Sequence, residues 1–252
     1  MTPTYNEREN IDEFVKRVRS AVPTVEVFVV DDDSPDGTAA RVTELAVGDP
    51  RLHLLLRRDE RGYAAASREG LSTLSKQGFD AIITIDCDLS HDPDVIPLML
   101  QRLSEGADVV IGSRYVPGGG VRNWSLFRRL LSRWGNTYTA FMLRLPIRDC
   151  TTGFRAYRAD VVKRAHLATT VSDGYAFLTE SLLRIDELGD VRIDEVPIIY
   201  VDRTQGESKM SKTIISESMR RVTWWGVQRR LDRKSTRLNS SHVSESRMPS
   251  SA

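Results

Sequence analysis

The sequence predicts an α/β fold built on a mainly parallel sheet. Short apolar runs recur along the first half of the chain. Longer segments with apolar residues at helical spacing separate them, and two acidic motifs directly follow two of the runs. In open sheets of this kind, chemistry gathers where the carboxyl ends of strands meet a crevice, so the acidic motifs mark the candidate site.

Residues 1–5 open with turn-like residues and no preceding strand. Residues 10–22 place Ile11, Phe14, Val15 and Val18 on one helical face. Residues 25–30 (VEVFVV) read as a buried strand ending in Asp31-Asp32-Asp33, and 52–56 as a second strand. Residues 81–85 (AIITI) read as a third, ending in Asp86-Cys87-Asp88, and 109–112 (VVIG) as a fourth. Helices are expected over 38–46, 64–74 and 93–103. Residues 123–145 and 213–231 carry apolar and aromatic residues at helical spacing beside arginines. A single domain over 1–231 is expected. The Ser-rich segment 232–252 reads as a disordered tail that resembles translated adaptor sequence, and it is set outside the fold.

Composition narrows the function classes. The formal net charge is +1, which gives no support to nucleic-acid binding. Cys87 and Cys150 fit neither a zinc spacing nor a disulfide framework and read as reduced thiols of a cytosolic protein. No apolar run is long enough to span a membrane and no signal peptide is visible, so membrane contact is expected to be peripheral. The absence of a P-loop and of Gly-x-Gly-x-x-Gly weighs against kinases and dehydrogenases.

Three segments carry candidate chemistry. Asp86 and Asp88 stand two apart, so in an extended segment both face one side, with Ser90 in reach. Magnesium or manganese held this way keeps positions open for substrate phosphates; a plain strand end with Asp92-Pro93 opening a helix fits the same residues. Asp31–Asp33 could accept from a nucleobase or form a solvated turn, while Asp36, Gly37 and Thr38 read as structural. Tyr5 could stack on a base and Glu7 could bind base or ribose, with Asn6 and Glu9 forming a capping box.

Taken together, Pro3-Thr4-Tyr5-Asn6-Glu7, the 31–38 run and Asp86–His91 resemble the dolichyl-phosphate mannose synthase branch of family 2 glycosyltransferases. So do Gly112-Ser113-Arg114-Tyr115, Thr152-Gly153-Phe154-Arg155, the 174–177 segment, Val201-Asp202-Arg203 and Gly206-Glu207-Ser208-Lys209, in the right order over residues 2–225. The resemblance implies a GT-A fold, a Rossmann-like nucleotide half fused to an acceptor half, and inverting transfer of mannose from GDP-mannose to a polyprenyl (dolichyl) phosphate. It implies that Pro3, Tyr5, Glu7, Val30 and Asp32 hold guanosine. Asp86, Cys87, Asp88 and Ser90 would line the pyrophosphate, with Asp86, Asp88 and Ser90 around Mg2+ or Mn2+. Arg114, Arg203 and Lys209 would meet phosphate or sugar, and Arg128 and Ser132 the lipid phosphate. Asp88, Arg114, Arg203 and Lys209 would thus carry catalysis, on the cytoplasmic face of a membrane.

Two departures qualify the match. The family has an apolar strand before Pro-Thr-Tyr-Asn-Glu, and here the first strand reads as truncated, which opens the alternative of a non-catalytic fragment. Gly62-Tyr63-Ala64-Ala65-Ala66 replaces the usual Gly-Leu-Gly pattern. A polyprenyl-phosphate glucose synthase is the nearer alternative, because it needs the same metal and lipid phosphate. The 123–145 segment, with Trp124, Phe127, Arg128, Arg129, Arg133 and Trp134, reads as a basic amphipathic helix at a membrane interface or as a core helix with solvated arginines.

Overall fold

Alternation along the strands decides the architecture. Val29 and Val110 face one apolar cluster, while their neighbours Val30, Val109 and Ile111 face another, so the sheet is covered on both sides. The computed structural model describes residues 1–202 and 218–231. Strands β1 (Thr2–Thr4), β2 (Val27–Asp31) and β3 (Leu52–Leu56) pair in parallel in the order β1-β2-β3. Strands β4 (Ala81–Thr84), β5 (Val109–Ser113), β7 (Arg155–Arg158) and β8 (Ile193–Pro197) form the order β4-β7-β5-β8, with β7 antiparallel to both neighbours and β5 parallel to β8. A separate parallel pair joins β6 (Gly120–Arg122) to β9 (Ile199–Val201).

The turn-like reading of the first residues is corrected by this sheet. Thr2, Pro3 and Thr4 lie opposite Val29, Val30 and Asp31. The Met1 ammonium donates to the Ile83 carbonyl at 2.6 Å, and the Ile85 N–H donates to the Met1 carbonyl at 3.2 Å. Backbone pairing therefore runs from β2 through β1 to β4, and a strand does occupy the place beside the acidic motifs. Sequence pattern missed it because a three-residue strand, Thr2–Thr4, shows no periodicity.

On one face lie α1 (Ile11–Ala21), α2 (Thr38–Gly48) and α4 (Ile96–Ser104). Helix α1 buries Ile11, Phe14, Val15 and Val18, the i, i+3, i+4, i+7 stripe; each such side chain contributes about 1.5–3 kcal/mol on burial. Its N-cap is Asn10 rather than Asn6, whose φ of 61° puts it in the left-handed region. Asn6 instead donates its N–H to Ser34 Oγ at 3.0 Å. The opposite face carries α3 (Tyr63–Lys76), α6 (Ala159–Arg164) and α7 (Gly174–Asp186). Helix α5 (Leu126–Leu143) starts at the N-cap Ser125, whose Oγ accepts from the Arg128 N–H. Residues 218–231 are also helical. The Gly206–Lys209 motif and segment 232–252 lie outside the described residues.

Candidate active site

Three loops meet at the carboxyl ends of β1, β2 and β4. The loop after β1 carries Tyr5–Glu7, that after β2 carries Asp32–Gly37, and that after β4 carries Asp86–Ser90. Hydroxyls stitch the first two together. Asp31 accepts from Thr4 Oγ1 and Ser34 Oγ, each at 2.7 Å, and Thr38 Oγ1 accepts the Glu7 N–H at 3.0 Å. Asp36 accepts from the Thr38 N–H and hydroxyl and from the Arg8 N–H. Burial opposes its charge, but these hydrogen bonds outweigh burial and hold the carboxyl below its usual range. With Gly37 at φ 87°, the turn into α2 is structural, as its sequence implied.

Among the residues expected around guanosine, Tyr5 is exposed with the Arg61 guanidinium 5.5 Å from its ring centroid. Pro3 and Glu7 are partly exposed beside it. Asp32 sits differently. It is buried, ion-paired with Arg57, and accepts the Gly62 N–H at 2.7 Å. Arg57 in turn reaches Glu69 Oε2 at 2.7 Å and the Glu60 carbonyl at 2.8 Å. Asp32 thus anchors the 57–62 loop at the mouth of the candidate site, and sequence reasoning did not name Arg57, which holds that loop. The Val30 side chain is fully buried in the core, so the part of Val30 open to a nucleoside is its backbone.

The Asp86–Ser90 segment is a tight turn, not the extended strand end that the spacing argument assumed; Leu89 has φ 61°. The turn still separates its side chains usefully. Asp86 is partly exposed, whereas Asp88 is nearly buried and accepts from both the Ser90 N–H and the Ser90 hydroxyl. The Cys87 side chain is buried in the apolar cluster that also holds Ile85, Ile96 and Met99, which leaves its backbone beside the site. Burial likewise pushes the Cys150 thiol up to about 12. His91, which sequence reasoning did not single out, stands with Nε2 3.6 Å from Asp86 Oδ2, its ring between Phe154 and Tyr200. No group of three or more His, Cys, Asp and Glu side chains able to hold a metal occurs among the described residues. Two carboxylates and a hydroxyl are nonetheless hard oxygen donors that fit Mg2+ or Mn2+, which complete their shells with water and substrate phosphate.

Arg114 donates to Asp149 through Nε and Nη2 at 2.7 Å each and to Thr151 Oγ1 at 2.7 Å, and the ion pair is buried. The resulting guanidinium faces the rings of Tyr115, Trp124 and Tyr200 at 5.4–5.8 Å. Asp149 receives backbone N–H groups from Arg114 and Thr151, while Glu195 accepts the Arg148 and Asp149 N–H groups. Arg114 therefore fixes the 149–151 loop. Arg203 and Lys209 lie outside the described residues.

On the acceptor side, Arg128 stacks 4.2 Å from the Trp124 ring centroid and pairs with Asp202 at 2.5 Å, both side chains being about a third exposed. Ser132 Oγ lies 2.7 Å from the Tyr115 hydroxyl. Helix α5 is not an ordinary core helix. It buries only Asn136, Thr139 and Leu143, while Leu126, Phe127, Leu130, Trp134 and Phe141 are 56–76% exposed. The 218–231 helix adds exposed Trp224, Val227 and Leu231. Glu180 is committed to the N–H groups of Val171 and Ser172 and to Arg184, which excludes it as a poised base.

The profile of glycosyl transferase family 2 matches residues 1–165. The chain belongs to this family. It is 44% identical over 232 residues to the polyprenol monophosphomannose synthase of Mycolicibacterium smegmatis, covering 92% of this chain and 87% of that protein. Against the undecaprenyl-phosphate mannosyltransferase of Micrococcus luteus the identity is 42% over 236 residues, covering 94% and 96%. Against the dolichol-phosphate mannosyltransferase of Pyrococcus furiosus it is 36%, covering 87% of this chain and 61% of that one. Glucosyl-3-phosphoglycerate synthase from Mycobacterium tuberculosis, solved with Mn2+ and UDP-glucose, shares the fold at a TM-score of 0.63 and 18% identity, over 90% of this chain and 77% of that one. The family 2 chain is thus a glycosyltransferase with the GT-A architecture its motifs implied.

Proposed function

We propose that this family 2 enzyme transfers mannose from GDP-mannose to a polyprenyl phosphate with inversion at the anomeric carbon. The observation that carries the reading is the 44% and 42% identity, over more than nine-tenths of the chain, to two transferases named for mannose and polyprenyl phosphate. The arrangement of the site supports it. Acidic Asp86 and Asp88 stand on the nucleotide side and basic Arg128 on the side of exposed helix α5.

Tyr5 stacks on the guanine, with Pro3 and Glu7 closing the nucleoside pocket and Asp32 holding its rim through Arg57 and Gly62. Asp86, Asp88 and Ser90 would hold Mg2+ or Mn2+, which would supply charge stabilisation to the departing diphosphate. A phosphate monoester, with its second pKa near ~6, is largely dianionic at neutral pH and attacks without a strong base. One phosphate oxygen bonds to the anomeric carbon as the bond to the GDP oxygen breaks, so an α-linked donor gives a β-linked product. Arg128 and Ser132 orient the incoming phosphate, which competes with Asp202 for the Arg128 fork. Arg203 and Lys209 keep the phosphate-binding part that the resemblance implies.

The lipid acceptor calls for membrane contact, and no described helix is long and apolar enough to cross a bilayer. Helix α5 docks peripherally on the cytoplasmic leaflet, with Phe127, Leu130 and Trp134 in the headgroup region and Arg129 and Arg133 facing anionic lipid. Each basic residue contributes about 1 kcal/mol near such a surface, so binding is reversible and weakens with salt. Phe127→Ser/Leu130→Ser is expected to lower binding to vesicles containing anionic phospholipid about tenfold or more. The melting temperature should stay unchanged, since both side chains are exposed. Co-sedimentation equal to wild type would place the docking face elsewhere. The function itself is tested by a donor panel, GDP-mannose against UDP-glucose, with a short-chain polyprenyl phosphate.

A further inference from the structure

The loop that departs from the family pattern ends inside the site. Gly62 takes φ 139° and ψ 151°, a conformation open to glycine, and gives its N–H to Asp32. The next residue, Tyr63, begins α3. Its ring packs edge-on against Phe177 of α7, with centroids 6.3 Å apart and planes at 75°. Phe177 is buried, so the ring is held by α7 while the backbone beside it is held by Asp32. The hydroxyl then falls beside Gly153. A Cβ built on Gly153 would collide with the Tyr63 hydroxyl oxygen and stand 3.4 Å from Asp86 Oδ1. The tyrosine hydroxyl and the Asp86 carboxylate thus approach one point above a residue that must lack a side chain. Thr84 Oγ1 pins that residue by donating to the Gly153 carbonyl at 2.6 Å.

We propose that Tyr63 is a donor-sugar binding residue, its hydroxyl hydrogen-bonding the hexose of the nucleotide sugar between Asp86 and Gly153. This inference rests on the donor site proposed above. The diphosphate lies at Asp86, and the acceptor attacks from the side of α5 and α7. The transferred sugar must occupy the space between, beside Tyr63, which links the Asp32 loop to α7. A phenol both donates and accepts, which suits a sugar hydroxyl. The leucine of the usual pattern offers neither, so this chain has a polar contact to the hexose that the family pattern lacks.

Tyr63→Phe keeps the ring on Phe177 and removes only the oxygen. With Mn2+ present, its affinity for GDP by calorimetry should stay within about twofold of wild type. Its kcat/KM for GDP-mannose should fall about five- to tenfold, the effect of one lost hydrogen bond. Its preference for GDP-mannose over GDP-glucose should narrow, a readout that a packing role would not move. Gly153→Ala, which displaces the hydroxyl, should show the same narrowing. A Tyr63→Phe enzyme with wild-type kcat/KM and wild-type sugar preference overturns the inference, as does one that loses GDP and GDP-mannose equally. Wild-type enzyme that transfers nothing from GDP-mannose with Mg2+ or Mn2+ contradicts the donor reading itself, and this inference falls with it.

Discussion

Asp88→Asn is expected to lower mannosyl transfer by about 10³-fold while leaving the melting temperature within a degree or two of wild type. Loss of a preorganised group that stabilises developing charge in a shielded site costs on the order of 10²–10³ in rate. Here the same carboxylate also organises Ser90, through its N–H and hydroxyl. The asparagine carbonyl oxygen still accepts those two bonds, so the turn is retained and the deficit falls on metal and diphosphate. Chelation of divalent metal by EDTA should reproduce the loss in wild type. Undiminished turnover in EDTA, or in the variant, would remove the acidic motif from the mechanism.

Asp149→Ala is expected to be the most destabilising substitution near the site, costing about 3–5 kcal/mol, because it leaves the buried Arg114 guanidinium without its counter-charge. Urea or thermal melts measure this. The double change Arg114→Met/Asp149→Leu should recover much of the stability without recovering full activity, since the 149–151 loop loses its anchor. Burial alone would raise the Asp149 carboxyl. The Arg114 charge, with hydrogen bonds from Arg114 and Thr151, overcomes burial and holds it below the usual range. A carboxyl depressed on folding contributes stability that is fully present above its unfolded value near ~4. That contribution is lost as pH falls through the lower folded value. The wild-type acid limb should therefore contain a step that the double variant lacks. A single Asp149→Ala enzyme as stable as wild type would show that Arg114 has another partner.

Much of the fold was legible because its signals are local. The 25–30, 52–56, 81–85 and 109–112 runs match β2 to β5 within a few residues, and the stripe Ile11, Phe14, Val15, Val18 is the buried face of α1. The Asp36-Gly37-Thr38 turn was legible for the same reason, since the Asp36 bonds to the Thr38 N–H and hydroxyl that shape it are local. What escaped was set by contacts distant in sequence. Asp32 meets Arg57, and Arg114 meets Asp149; no spacing rule relates residues 25 or 35 positions apart. The Arg114–Asp149 pair was hidden because an arginine in a motif looks the same in sequence whether or not a carboxylate meets it. Val30 is a different case. It lies in a continuous apolar run of a doubly covered strand, where period-two alternation leaves no sign of which face is which. Exposure of α5 was the opposite case: its apolar stripe was legible, but a stripe alone does not distinguish a membrane face from a core face. The exposed Phe127, Leu130 and Trp134 decide it against the core reading.

The central claim is the identity of the bond made. Incubating the enzyme with GDP-mannose, Mg2+ and a short-chain polyprenyl phosphate, then reading the lipid product by mass spectrometry and its anomeric signal by NMR, tests it most directly. The account predicts one added hexose, a β-mannosyl phosphate linkage, and release of one GDP per product. An α-linked product, or transfer from UDP-glucose in preference to GDP-mannose, would contradict it.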